Sequence, residues 1–320
     1  MSSQPMGVQL NSLKAVARKV PGLPAVYRRA RAALNVARSM SSPFLRMVPA
    51  GHFYSPIPDM REVLRRRDVL FRGNVSDCPG VDVREEGQLE LVDRLTQFYG
   101  ELPFPETPNG STRYYFGNQF FRHGDAIVLY AMMRHFRPRR VIEVGSGFSS
   151  AVMLDTNERF LDKGTRFTFI EPYPGRLLSL ITRDDKENCE ILDSPVQDVD
   201  LAIFETLGPG DILFIDSSHV VKAGSDVPHL LFNVLPGLRA GVIVHFHDVF
   251  WPFEYPKEWL MAGTAWNEAY FIRAFLEYND KFEVLLFNSF IAERHREVLR
   301  DRMPLALNDP GASLWLRKKS

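Results

Sequence analysis

Arg140-Val141-Ile142-Glu143-Val144-Gly145-Ser146-Gly147-Phe148-Ser149-Ser150 is the stretch on which the fold turns. A short run of β-branched residues ends in two glycines and passes into sequence of helical character, so it reads as strand, tight turn and helix start. Small residues at such a turn let a ligand approach the backbone, and the helix start behind it offers unpaired N–H groups.

Downstream the same alternation repeats. Apolar runs RFTFIE, CEILDS, DILFID, GVIVHFHD, FEVLLFN and SLWLRK are separated by helical segments near 149–160, 175–182, 201–206, 227–235 and 266–278. Just upstream, DAIVLYAMMRHF reads as the first helix of the unit. Strands alternating with helices predict a mostly parallel sheet covered on both faces. The last two runs lie close together, which predicts an antiparallel terminal pair. The fold class is therefore α/β: a Rossmann-like, doubly wound, seven-stranded sheet, mostly parallel with an antiparallel last strand, plus an N-terminal helical extension.

Composition agrees. Of 320 residues, 45% are hydrophobic and 24% charged, which excludes a mainly disordered, collagenous or coiled-coil chain. Lys+Arg and Asp+Glu both number 39, so whole-chain charge gives no argument for nucleic acid. The charge is unevenly placed: eight basic residues and no acid precede Asp59, so the rest of this neutral chain carries −8. Residues 1–50 are read as a basic helical arm, either a surface for anionic membrane or another polyanion, or an extension packed on its own domain. Residues 51–120, rich in turns around helices at 60–71 and 85–99, are read as a cap or lid. The third region is 121–320.

Cys78 and Cys189 stand far apart without metal-ligand spacing, which fits a reducing, cytoplasmic compartment. No apolar run reaches the roughly 20 residues that cross a bilayer.

In an open parallel sheet, ligands sit beyond the carboxyl ends of the strands. The second strand ends in Glu171, where a Rossmann-type site binds ribose hydroxyls. The glycine turn is not the dinucleotide fingerprint, since Ser150 stands where its third glycine would be. Glu143 would repel a pyrophosphate and welcome an ammonium group. A ligand with a ribose and an amine is expected. The fourth strand delivers Asp216, followed by Ser217, Ser218 and His219; the fifth delivers His245, His247 and Asp248. His245 reads as a core histidine. Aromatic stretches at 114–121 and 251–256, with Trp266 and Asn267, read either as pocket mouth or as packing.

Glu-Val-Gly-Ser-Gly, the acidic second strand end and this strand order resemble the class I S-adenosylmethionine-dependent methyltransferases. DILFIDSSHV and LRAGVIVHFHD bring the resemblance closest to the macrocin-type sugar O-methyltransferases. It implies that Glu143, Gly145, Ser146 and Gly147 line the methionine part of the cofactor, that Glu171 holds the ribose and that Asp198 lies near the adenine. It implies a divalent cation, Mg²⁺, Mn²⁺ or another, at Asp216, His247 and Asp248, with His247 where an acid is usual. His219 takes the place of the general base. The motif departs from the commonest form at Ser149, in place of a glycine.

The reading is an S-adenosylmethionine-dependent O-methyltransferase acting on a sugar or glycan hydroxyl of a small-molecule or glycan acceptor, with His219, Asp216, Asp248 and His247 at the reaction centre. Peripheral contact with an anionic inner membrane surface through residues 1–50 is a further expectation, and specific nucleic-acid binding is not expected. Two alternatives stand beside it: a metal-dependent oxygenase on the same fold, and a membrane-associated scaffold without activity.

Overall fold

A computed structural model describes residues 47–71 and 77–320, together with Leu34 and Ala37. The expected helical arm over residues 1–50 falls almost wholly outside the described residues. The chain divides into two units, Met1–Glu62 and Val63–Ser320. In the first, residues 47–59 form turns, one closed by the Gly51 N–H donating to the Ile57 carbonyl at 3.0 Å.

The second unit is built on seven strands: β1 (Arg140–Val144), β2 (Arg166–Ile170), β3 (Cys189–Leu192), β4 (Ile212–Ile215), β5 (Ile243–Phe246), β6 (Phe282–Phe287) and β7 (Leu314–Lys318). Their order across the sheet is β3-β2-β1-β4-β5-β7-β6. The first five pair in parallel, and β7 runs antiparallel to both β5 and β6. The antiparallel terminal pair is thus present, with β7 inserted between β5 and β6. Every residue of β4 and β5 is buried, as both-face coverage demands.

Helix His123–Phe136 is buried through its first eleven residues and packs on helix Phe148–Phe160. Its apolar run is too continuous for an amphipathic surface helix, and burial on all sides is the solution. Helix Glu85–Thr96, in the segment read as a cap, packs on β6 and on helix His123–Phe136 within this same unit. The expected helix over 227–235 is broken into three short turns of different pitch, Asp226–His229, Leu230–Val234 and Leu235–Gly237. Pro236 lies in the third, where proline removes a backbone donor. Among the described residues no helix is long and apolar enough to cross a membrane.

Candidate active site

Strand order reverses between β1 and β4, and the carboxyl ends of β1, β2 and β4 enclose a cavity of about 400 Å³ there. Gly145, at the end of β1, has φ +82°, and a Cβ on it would stand 1.8 Å from the Asp216 carbonyl oxygen. The two strand ends meet this closely only because the residue is glycine.

Glu171 lines the cavity and is held by two backbone donors, the N–H of Ser146 at 3.1 Å and that of Tyr173 at 2.7 Å. The loop after β3 adds Val196 and Gln197. Asp198, expected beside the adenine, is exposed and outside the lining, because the 3-10 turn Val196–Asp198 directs its two preceding residues to the cavity. Ser146 and Gly147 begin the turn into helix Phe148–Phe160 as expected.

Glu143 differs from expectation. It is fully buried and accepts hydrogen bonds from the hydroxyls of Ser149, at 2.5 Å, and Ser150. Ser150 Oγ in turn accepts the Gly147 N–H at 3.0 Å. The two serines that replace motif glycines thus lock the turn onto Glu143, leaving its oxygens occupied away from the cavity. Burial pushes its carboxyl up to about 8, against the two hydroxyls that favour the charge. The folded chain therefore holds this proton more tightly than the unfolded chain, whose carboxyl has the ordinary value of 4.5. Stability from this group is full below that value and declines as pH rises toward about 8. Thermal unfolding of Glu143→Gln between those limits should show a shallower decline than the wild type; identical slopes would remove the assignment.

Beyond the cavity, four side chains converge. His219 Nε2 lies 3.3 Å from Asp216 Oδ1 and 3.6 Å from Asp248 Oδ2. His247 Nδ1 lies 3.4 Å and 3.6 Å from the same two oxygens. The far nitrogen of each ring meets a buried carboxylate: His219 Nδ1 is 2.8 Å from Glu268 Oε2, and His247 Nε2 is 3.3 Å from Asp125 Oδ2. Both carboxylates lie in helical sequence whose pattern marks neither as a site residue. His219 and Asp248 both adopt left-handed backbone, φ +59° and +57°, a conformation costly for residues with a Cβ and concentrated at functional sites. Backbone N–H groups of Asn267 and Glu268 both donate to the His219 carbonyl, and the Trp266 ring lies 4.3 Å from the His219 ring. The 266–268 segment therefore fixes His219 from both sides.

Burial disfavours charge on Asp216, yet the two adjacent imidazoles hold its carboxyl far below the ordinary range. Burial likewise opposes a proton on His219, but Asp216 and Glu268 outweigh it and push the imidazole up to about 10. His219 in this state keeps its proton at neutral pH, so a base role requires a change in its surroundings when the site is loaded.

Among the described residues, Asp216, His219 and Asp248 form a group able to hold a metal ion, their ligand atoms all within 4.8 Å of one another. The expected set had His247 in place of His219. His247 Nδ1 is buried without a hydrogen-bond partner and faces the same two carboxylates. His245 is the core histidine expected, stacked 3.8 Å from Phe214 and bonded to Ser313 Oγ at 2.8 Å. The aromatic stretch at 114–121 divides: Tyr114, Phe116 and Phe121 are core, while Phe120 is exposed under the Arg176 guanidinium, 3.7 Å from its ring centre.

Residues 142–249 match a family model described as a methyltransferase domain. A protein of Archaeoglobus fulgidus, described as uncharacterized, is 40% identical over 168 residues, covering 51% of this chain and 74% of its own. Among solved structures, the SAH-bound methyltransferase PaMTH1 of Podospora anserina is similar with a TM-score of 0.39 and 16% identity, over 83% of this chain and 99% of that one. The O-methyltransferase TomG of Streptomyces achromogenes, in complex with SAM, gives 0.39 and 14%, over 82% and 97%.

Proposed function

From the premise that this chain belongs to the family of the Archaeoglobus fulgidus protein and is a methyltransferase through its domain at 142–249, we propose that it moves the methyl group of S-adenosylmethionine onto a hydroxyl oxygen of a sugar or glycan. The observation that carries the reading is the cavity at the strand-order reversal, walled by Gly145 and Glu171 and bordered by Asp216. The oxygenase and scaffold alternatives gain nothing from the domain match.

The sulfonium brings an already activated methyl group, so the protein's share is to place donor and acceptor in line. The acceptor oxygen forms a bond to the methyl carbon as the carbon–sulfur bond breaks, and the hydroxyl proton must leave. Glu171 would accept from the ribose, Val196 and Gln197 would flank the adenine, and the turn from Gly145 to Gly147 would receive the methionine part. Asp216 and Asp248 would orient the acceptor hydroxyl, with His219 as the nearest proton acceptor once it is neutral.

The donor set also fits a divalent cation. Two imidazole nitrogens face the carboxylates of Asp216 and Asp248, and Glu268 and Asp125 fix the ring orientations from outside, the arrangement that orients metal-ligating histidines. Imidazole suits Mn²⁺, Fe²⁺ or Zn²⁺ better than Mg²⁺, which prefers oxygen. When bound, such an ion supplies a Lewis-acidic centre that lowers the pKa of a hydroxyl.

Labelled S-adenosylmethionine offered with a panel of sugars and glycans, with and without chelator, tests the reaction. Label on a hydroxyl is the expected result; absence of both transfer and S-adenosylhomocysteine binding would overturn the proposal. Glu171→Ala should weaken S-adenosylhomocysteine binding by about tenfold or more, since it removes a charge-assisted acceptor. Unchanged affinity in calorimetry would withdraw the ribose assignment.

A further inference from the structure

At the other end of the sheet, where β1, β2 and β4 begin, lies a second and larger cleft of about 930 Å³. Arg137, Arg139, Arg140 and Arg166 line it, and all four are exposed. Arg140 and Arg166 are the first residues of β1 and β2 and are register partners. Like charges set directly opposite one another on neighbouring strands destabilise a sheet. Among the described residues none of the four guanidiniums pairs with a carboxylate; Arg137 reaches only the Phe160 carbonyl, at 3.4 Å. The segments outside the description, 1–46 and 72–76, contain no acidic residue that could serve.

Asp211, the one acid lining the cleft, has its carboxylate committed to backbone. Its Oδ1 accepts the N–H groups of Arg139 and Arg140, each at 2.9 Å, and its Oδ2 accepts that of Gly208, also at 2.9 Å. The carboxylate therefore tethers the start of β1 to the loop before β4, and the arginine heads remain uncompensated. Four forked cations around a concavity form a receptor for phosphate, because guanidinium binds phosphate oxygens through two parallel N–H groups. The volume is that of a small-molecule site, and the half-buried Phe136 supplies an apolar wall.

We propose that this cleft binds a free, phosphate-rich small anion of about nucleotide size, at a site separate from the methyl-transfer centre. Concavity favours such a ligand over a membrane surface, which would meet a flat or convex face. The site stands independently of the reaction proposed above, since it uses none of the same residues.

The test is calorimetric titration of the full chain with inorganic tripolyphosphate at roughly physiological salt. Wild type should bind saturably and unfold at a higher temperature with the anion present. Arg140→Ser/Arg166→Ser should bind about tenfold or more weakly, while its own unfolding temperature without anion stays level or rises, because a like-charge pair is gone. Its S-adenosylhomocysteine affinity should match wild type. If the double variant is poorly folded, Arg166→Lys keeps the charge and loses the fork, and should weaken binding by a smaller factor. Equal binding by wild type and variant would overturn the proposal, assigning the anion elsewhere, for instance to the basic residues before Asp59. No binding of tripolyphosphate, with anionic vesicles or single-stranded RNA bound instead in an Arg166-dependent way, would overturn it in favour of those partners.

Discussion

Asp216→Asn should leave a folded chain that binds S-adenosylhomocysteine within a few-fold of wild type and turns over on the order of 10³-fold more slowly. Asp216 occupies the point where the two halves of the site touch. Its backbone abuts the glycine turn, with its carbonyl where a Gly145 Cβ would fall. Its Oδ1 stands between His219 Nε2 and His247 Nδ1. Asparagine keeps the shape and the backbone contact but removes the charge between two buried imidazoles, and an uncompensated buried charge is costly. The acceptor hydroxyl loses an orienting acceptor, and any cation loses a ligand, so the loss falls on turnover. The cofactor contact proposed for Glu171 lies on another strand and should be spared. Near-normal turnover in Asp216→Asn, assayed where chemistry limits the rate, would remove the centre from this end of β4.

The parts of this site that sequence could name are those fixed by position along one strand. Glu171, Asp216 and Asp248 each end an apolar run, and in a parallel sheet the end of a run is the mouth of the site. What escaped it depends on contacts between distant segments. Glu268 meets His219 across 49 residues and Asp125 meets His247 across 122; both belong to helical sequence whose pattern announces only packing. Glu143 was legible as a polar residue at a turn, but its direction was set by Ser149 and Ser150, whose hydroxyls draw both oxygens inward. The order of the last strands follows the same rule. Hydrophobic pattern identifies β6 and β7 as strands, whereas insertion of β7 beside β5 is decided by long-range pairing of Phe246 with Leu314 and His245 with Trp315.

His219→Ala should lower turnover by roughly 10²-fold or more while changing S-adenosylhomocysteine affinity little, and the reason for the loss can be read from metal affinity. The ring has one nitrogen to offer, because Nδ1 is taken by Glu268 at 2.8 Å. Nε2 faces Asp216 and Asp248 and can either join them around a cation or accept the acceptor's proton, but not both at once. As a ligand, its removal should weaken Co²⁺ or Mn²⁺ binding in the absence of any cofactor and alter the visible spectrum of the Co²⁺ complex. As a base, its removal should leave both unchanged and depress turnover alone. Glu268→Gln separates the roles again. Loss of the outer carboxylate should weaken metal binding by about 10- to 100-fold if it orients a ligating imidazole. If chelator has no effect on turnover while Asp248→Ala is inactive, the cation is wrong and the centre stands. Wild-type turnover in His219→Ala would remove both roles and leave Asp248 and His247 to handle the proton, His247 through an Nδ1 that already faces the same two carboxylates.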